Sequence, residues 1–298
     1  MQRYPSFKTS VLSRLFGRFA RKKFPSFFQY VINQTYVRCM NVDLKAFKNA
    51  ASYESLNALF TRKLVTPRSF DTDASVFISP CDGKVSAYGT IQNDTALQIK
   101  GFDYRIGALL SDYVSKSNRQ KLQNGVFINV YLSPKDYHRY HAPLDMRIAK
   151  AVHIPGKLYP VNLSWLKKVD ELFIENERVV LECYTKNDHV FYMVFVGALN
   201  VGKMVFHFDP SIQTNASSKL QRYYYYYTDL HVKKGDEIGL FEMGSTIVML
   251  FEPNALEWDF SAVDCVTFGQ TLGRVRRHEP NEHYQTIAAE STADASVP

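Results

Sequence analysis

The segment Leu240–Pro253, LFEMGSTIVMLFEP, breaks a dense apolar run with a glycine and two hydroxyls, Gly244, Ser245 and Thr246. Such residues weaken a strand interior, so the interruption calls for a bulge, a corner or a chemical reason. A Gly-Ser bond offers one. The serine Oγ can attack the preceding carbonyl carbon, where glycine adds no Cβ crowding and tolerates strained backbone, and the amide becomes an ester. A base must take the hydroxyl proton, and a carboxylate must orient that base. β-Elimination of the ester then splits the chain and leaves dehydroalanine, which hydrolyses with loss of ammonia to a pyruvoyl group. The product is a ketone at the head of the second fragment.

Candidate bases and carboxylates lie upstream. LSPKDYHRYHAP follows the apolar run VFINVYL and presents His138 and His141 three residues apart. Two histidines at the end of a strand, flanked by Tyr137 and Arg139, are candidates for acid–base work. Zinc ligation is the other reading, although the helical H-E-x-x-H pattern is absent and the neighbouring prolines oppose a helix. In SPCDGKV, Asp82 precedes Gly83, a pair that also marks common strand turns. A nucleophile elbow needs glycines two before and two after the serine. Here Gly244 is adjacent and Ile247 occupies the later position. The run VKKGDEIGLFEMG has the grammar of a lipoyl or biotin carrier, but no lysine stands beside Gly244.

Two kinds of element must position these residues. Three helical stretches are expected between residues 9 and 64, the last being SYESLNALFTRKL with Ser52 as N-cap. Pro67 and the polar run RSFDTDAS mark a boundary. Beyond Val76 the pattern becomes short β-rich runs with turn punctuation, TKNDH being a hairpin signal. One helix around Ile106–Ser115 interrupts them. The expected architecture is α+β: a mostly antiparallel β core with an N-terminal helical segment. The units are a helical, basic region at 1–66, a β-rich catalytic domain at 67–275, and a polar tail at 276–298 expected to be disordered.

The net charge is +7, yet residues 1–40 hold eight Lys and Arg and no acid, so the basicity is local. In SVLSRLFGRFARKKF the apolar residues recur at helical spacing between basic ones. A basic amphipathic helix of this kind suits an anionic membrane interface, and packing on its own domain is the other reading. No recognisable groove-reading motif accompanies the charge, and no nucleic-acid partner is expected. Four scattered cysteines form no C-x-x-C pair, which suits a reducing compartment. No apolar run approaches membrane-spanning length.

Together the motifs resemble the phosphatidylserine decarboxylase family, of the pyruvoyl-dependent, bacterial membrane-associated type. The resemblance runs from about Ser52 to Pro253 through LNALFTRKL, SPCDGKVS, FINVYLSPKDYHRYHAP, PGKLYPVN, NERVVL, VGALNVGK and KKGDEIGLFEMGSTIVMLFEP. The family more often has leucine where this chain has Met243, a change that conserves volume. The resemblance implies that Asp82 orients His141 and that His141 deprotonates Ser245. The Gly244–Ser245 bond then breaks, giving a large chain 1–244 and a small chain 245–298 that stay together as a heterodimer. Thr246 would support the reacting carbonyl. It further implies that phosphatidylserine forms a Schiff base with the Ser245-derived pyruvoyl, loses carbon dioxide, is protonated by His138 and leaves as phosphatidylethanolamine. Neither metal nor pyridoxal phosphate is required. The enzyme would be peripheral, on the cytoplasmic face of the inner membrane, with further homo-oligomerisation open.

Overall fold

The computed structural model describes residues 15–92, 95–99, 102–160, 172–198, 203–215, 223–242, 245–259 and 265–276. Of the expectations above, residues 1–14, Met243, Gly244 and the tail 277–298 lie outside the described residues.

The chain begins with helices and continues in strands. Helix α1 is described over 15–21; α2 spans Ser26–Met40 and α3 Leu56–Phe60. The first strands are β1 (Val76–Ile78), β2 (Gly83–Thr90), β3 (Thr95–Ile99) and β4 (Phe102–Arg105). Two short helices follow, α4 (Ile106–Leu110) and α5 (Lys116–Lys121). Next come β5 (Val126–Leu132), β6 (Arg139–His141), β7 (Met146–Ile154), α6 (Leu172–Glu175), β8 (Arg178–Thr185) and β9 (Val190–Gly197). The last are β10 (Met204–Phe206), β11 (Tyr223–Val232), β12 (Glu237–Phe241), β13 (Ser245–Phe251), β14 (Leu256–Trp258), β15 (Cys265–Val266) and β16 (Thr271–Val275).

An eight-stranded antiparallel sheet in the order β11-β7-β8-β9-β13-β5-β2-β15 forms the centre. Two three-stranded sheets, β10-β12-β6 and β1-β16-β14, contribute Tyr140, Phe241, Phe77 and Leu272 to the core on one of its faces. Helices α4 and α6 contribute Leu109, Leu110 and Phe173 to the other. Strands β9 and β13 are therefore buried at every position. Ile247, Met249 and Phe251 enter one core while Val248 and Leu250 enter the other. Covering both faces explains why LFEMGSTIVMLFEP reads as continuous apolar sequence and not as an alternation. Each fully buried large apolar side chain contributes about 1.5–3 kcal/mol.

The mostly antiparallel α+β architecture agrees with the sequence reading, and the TKNDH signal is the turn of the β8–β9 hairpin, with Asp188 at positive φ. Three local expectations are corrected. Ser55, not Ser52, caps α3: its side chain accepts from the Ala58 N–H, while Ser52 ends a separate 3-10 turn. Burial of Leu56, Leu59 and Phe60 sets where that helix begins. The helix expected over Ile106–Ser115 stops at Leu110, because Ser111 adopts φ 66, and α5 restarts after the Ser115 cap. Asp82-Gly83 makes no hairpin, since β1 and β2 belong to different sheets. Gly83 instead admits β2 close to β5: a Cβ there would lie 2.6 Å from the Tyr131 carbonyl oxygen and 2.7 Å from Val130 Cγ1.

Candidate active site

The break in the apolar run is a change of sheet. Strand β12 pairs with β6 and β10, whereas β13 pairs along its whole length with β5 and β9. Ser245 is the first residue of β13, opposite Leu132 on one side and Gly197 on the other. Its hydroxyl is fully buried and has no hydrogen-bond partner among the described residues. A buried, unsatisfied hydroxyl is unfavourable, so its retention asks for a functional explanation.

Topology brings the histidines to the same corner from two directions. Beyond Leu132 the chain leaves β5 through Ser133–Asp136 and reaches His138, whose carbonyl accepts from the Phe241 N–H at 2.9 Å. Phe241 is the last residue of β12, four positions before Ser245. The loop itself is fastened. Asp136 Oδ2 accepts from both the Ser133 N–H and its hydroxyl at 2.7 Å. Tyr36 of α2 donates to the Pro134 carbonyl at 2.8 Å, and Arg62 donates to the carbonyls of Lys135 and Asp136 at 2.6 and 3.0 Å. The N-terminal helices thus clasp the segment that carries His138.

His138 is wholly buried, and its Nδ1 lies 2.8 Å from the Asp136 carbonyl. A carbonyl only accepts, so Nδ1 carries the proton and Nε2 presents a bare lone pair. That Nε2 has no partner among the described residues. Burial, reinforced by the charge of Arg62, lowers its pKa to about 3, and the Phe60 ring lies against the imidazole at 3.9 Å between centroids.

His141 is held differently. Its N–H donates to the Pro80 carbonyl at 2.8 Å, two residues before Asp82. Nδ1 meets the Gly235 carbonyl at 2.9 Å and therefore carries the proton. Nε2 is 3.1 Å from the Tyr137 hydroxyl, whose pKa burial pushes up, so the tyrosine donates. Burial lowers the His141 pKa, partly offset by the Gly235 carbonyl. Gly235 sits at φ +85 with the Phe70 ring where a Cβ would be, so both conformation and space require glycine there.

Asp82 makes no hydrogen bond to His141. Both its oxygens bind the Arg68 guanidinium, and Oδ1 also accepts from the Phe268 N–H at 2.8 Å. The Phe268 ring stacks on His141 at 3.6 Å and 13°. Asp82 therefore reaches His141 through Phe268 and through its charge, which favours the imidazolium. Thr246 points to the opposite face of the sheet from Ser245, as successive strand residues do. Its hydroxyl meets Asn129 Oδ1 at 2.6 Å and the Val130 carbonyl at 2.9 Å, and Asn129 Nδ2 continues to Ser86 Oγ at 2.6 Å. This ties β13 to β5 and β2. Among the described residues no three His, Cys, Asp or Glu side chains converge as metal ligands.

Gly235, Phe268, Arg68 and Asn129 were not singled out in the sequence. Arg68 lay in a polar run read as a boundary, and Phe268 lies beyond the matched motifs. Tyr137, Asn129 and Gly235 carried a signal only by their places in the quoted motifs DYHRYHAP, FINVYL and KKGDEIGLFEMG.

The family profile described as phosphatidylserine decarboxylase matches residues 56–274. A protein of Campylobacter jejuni named phosphatidylserine decarboxylase proenzyme is 45% identical over 265 residues, covering 87% of this chain and 97% of the relative. A Helicobacter pylori protein of the same name is 45% identical, covering 89% and 97%. One from Dechloromonas aromatica is 35% identical over 268 residues, covering 88% and 93%. With the profile spanning most of its length and relatives aligned almost end to end, the chain belongs to the phosphatidylserine decarboxylase family.

Proposed function

We infer that this chain is a self-processing phosphatidylserine decarboxylase, releasing carbon dioxide from phosphatidylserine and leaving phosphatidylethanolamine, a step of phospholipid biosynthesis. Beside family membership, the observation that carries the reading is the buried Ser245 hydroxyl at the first position of β13, without a hydrogen-bond partner among the described residues. In this reading His141 accepts the Ser245 proton at Nε2 once the Tyr137 hydroxyl yields that position. Asp82 stabilises the resulting imidazolium. Oγ attacks the Gly244 carbonyl carbon, the C–N bond gives way to an ester, and elimination separates 1–244 from 245–298. Seven residue pairs to β5 and seven to β9 favour retention of the small chain in place.

The surroundings of Ser245 suit a pyruvoyl group, because converting the hydroxyl removes no hydrogen bond made by the described residues. When formed, that ketone supplies an electrophilic carbonyl for the substrate amine and a sink for the electrons left by departing carbon dioxide. His138, whose Nε2 carries no proton at the outset, takes one there from the substrate's ammonium as the amine is freed to attack, and returns it in the place of carbon dioxide. Its buried site disfavours the imidazolium, so once protonated it is a strong acid and gives its proton up readily.

The helical region supports docking on an anionic membrane. Phe27 and Phe28 of α2 are 71% and 61% exposed, Tyr30 and Val31 nearly half exposed, and Lys22 and Lys23 lie just before the helix. No described helix is long and apolar enough to cross a bilayer. We place the enzyme at the cytoplasmic face of the inner membrane, where acyl chains stay in lipid and only the headgroup enters.

Two measurements test this. Intact mass spectrometry should find a 245–298 fragment lighter than its serine-started counterpart by one ammonia, and borohydride or hydroxylamine should abolish carbon dioxide release. An intact chain, or full activity after trapping, would sink the reading. Phe27→Ser with Phe28→Ser is expected to lower binding to anionic vesicles at least about tenfold while self-cleavage proceeds. Unchanged vesicle binding would remove α2 from the docking surface.

A further inference from the structure

Arg62 follows α3 and is 2% exposed. Its Nη2 fastens the Ser133–Asp136 loop, but its Nε and Nη1 have no hydrogen-bond partner among the described residues. The Tyr53 hydroxyl is likewise buried, with the Lys48 backbone N–H near it but no partner of good hydrogen-bond geometry among the described residues. The two groups are within electrostatic reach: burial raises the Tyr53 pKa and the Arg62 charge pulls it back. A buried guanidinium with two idle donors is among the most unfavourable unsatisfied groups a fold can retain. The Phe47 ring lies 4.6 Å from its carbon and supplies no oxygen acceptor. The carboxylates of Asp82 and Asp136 act on Arg62 through charge alone, so what these two donors lack among the described residues is an acceptor oxygen.

We propose that Arg62, assisted by the Tyr53 hydroxyl, binds the phosphodiester of the substrate headgroup. This rests on the decarboxylase reading and adds a subsite to it. Phosphatidylserine carries two anions, and the chemistry discriminates between them. The carboxylate loses its charge as carbon dioxide leaves, so a guanidinium upon it would stabilise the ground state more than the transition state and slow the reaction. The phosphodiester keeps its charge throughout, and a planar fork of N–H donors matches its oxygens. Position agrees. Arg62 shares the Asp136 carbonyl with His138, and Phe60, two residues earlier, lies against His138. Helix α2, which carries the exposed aromatics, is fastened to the same Ser133–Asp136 loop by Tyr36. The phosphodiester likewise links the acyl-bearing glycerol to the reacting serine.

The test uses the product, which keeps the phosphodiester and lacks the carboxylate. Purified wild type, Arg62→Met, Arg62→Lys and Tyr53→Phe are assayed on phosphatidylserine in mixed micelles, with phosphatidylethanolamine as inhibitor. Arg62→Met should raise KM and the inhibition constant in parallel by about ten- to hundredfold, and kcat should fall as well, because the same side chain holds the Asp136 carbonyl that orients His138. Arg62→Lys should fall between, and Tyr53→Phe should raise both constants a few-fold. A higher KM with unchanged product inhibition would assign Arg62 to the carboxylate and overturn the proposal. So would two unchanged constants, or a loss confined to kcat. If Arg62→Met fails to fold, Tyr53→Phe, which keeps the ring, decides the matter by the same two constants. Failure of the wild type to release carbon dioxide would refute the decarboxylase reading, and this subsite with it; a wild type that turns over normally isolates failure of the subsite.

Discussion

Ser245→Ala is expected to leave one uncleaved 298-residue chain with decarboxylase activity at least ~10⁴-fold below wild type, since no other group can become the ketone. The substitution removes a hydroxyl that makes no hydrogen bond to the described residues and leaves Cβ in place. Stability should therefore be unchanged or slightly raised, because an unsatisfied buried polar atom disappears. This separates a chemical defect from a folding defect: the variant should melt no lower than a wild-type chain held uncleaved. Ser245→Cys, which keeps a nucleophile, should retain slow cleavage. Recovery of a 245–298 fragment from Ser245→Ala would mean that another bond or another mechanism is at work.

The second large effect divides the two imidazoles. His141→Ala should block cleavage, and activity should fall with it to background. His138→Ala should permit cleavage but lower decarboxylation by about 10²–10⁴-fold, the range of a lost general acid. Gels and carbon dioxide release on the same preparations check this, and an uncleaved His138→Ala chain would reverse the assignment. The pH dependence follows from burial. Both pKa values are lowered, so the unfolded chain binds protons that the folded chain refuses. The associated stability is complete above about pH 6.5, the ordinary histidine value, and is lost progressively as pH falls, for His138 down to about 3. Self-cleavage needs neutral His141, so its rate should hold through the ordinary histidine range and decline only below it.

Much of the proposed chemistry was legible because it depends on neighbours in the chain. A glycine before a serine is a property of one peptide bond. Two histidines three apart at a strand's end, and eight basic residues with no acid in the first forty, are equally local. The change from helical to strand grammar near Val76 was readable as a change of hydrophobic period. Boundaries were less so. Nothing local chooses Ser55 over Ser52 as a cap, or halts a helix at Leu110; burial of the α3 side chains and the positive φ of Ser111 do.

What the sequence by itself determined is the identity and order of the candidate groups on which the proposal rests: Asp82, His138, His141 and the Gly244–Ser245 bond. Tertiary structure alone decided how they are held. His141 meets the carbonyl of Gly235, 94 residues away, and Asp82 reaches it through Phe268, 186 residues away. It also decided that the Ser245 hydroxyl is sealed from water and that Arg62 sits beside His138 with idle donors. Periodicity and spacing describe which way a side chain points within its own strand or helix. Which distant backbone atom it meets is set by how sheets pack against one another, and no local pattern records that.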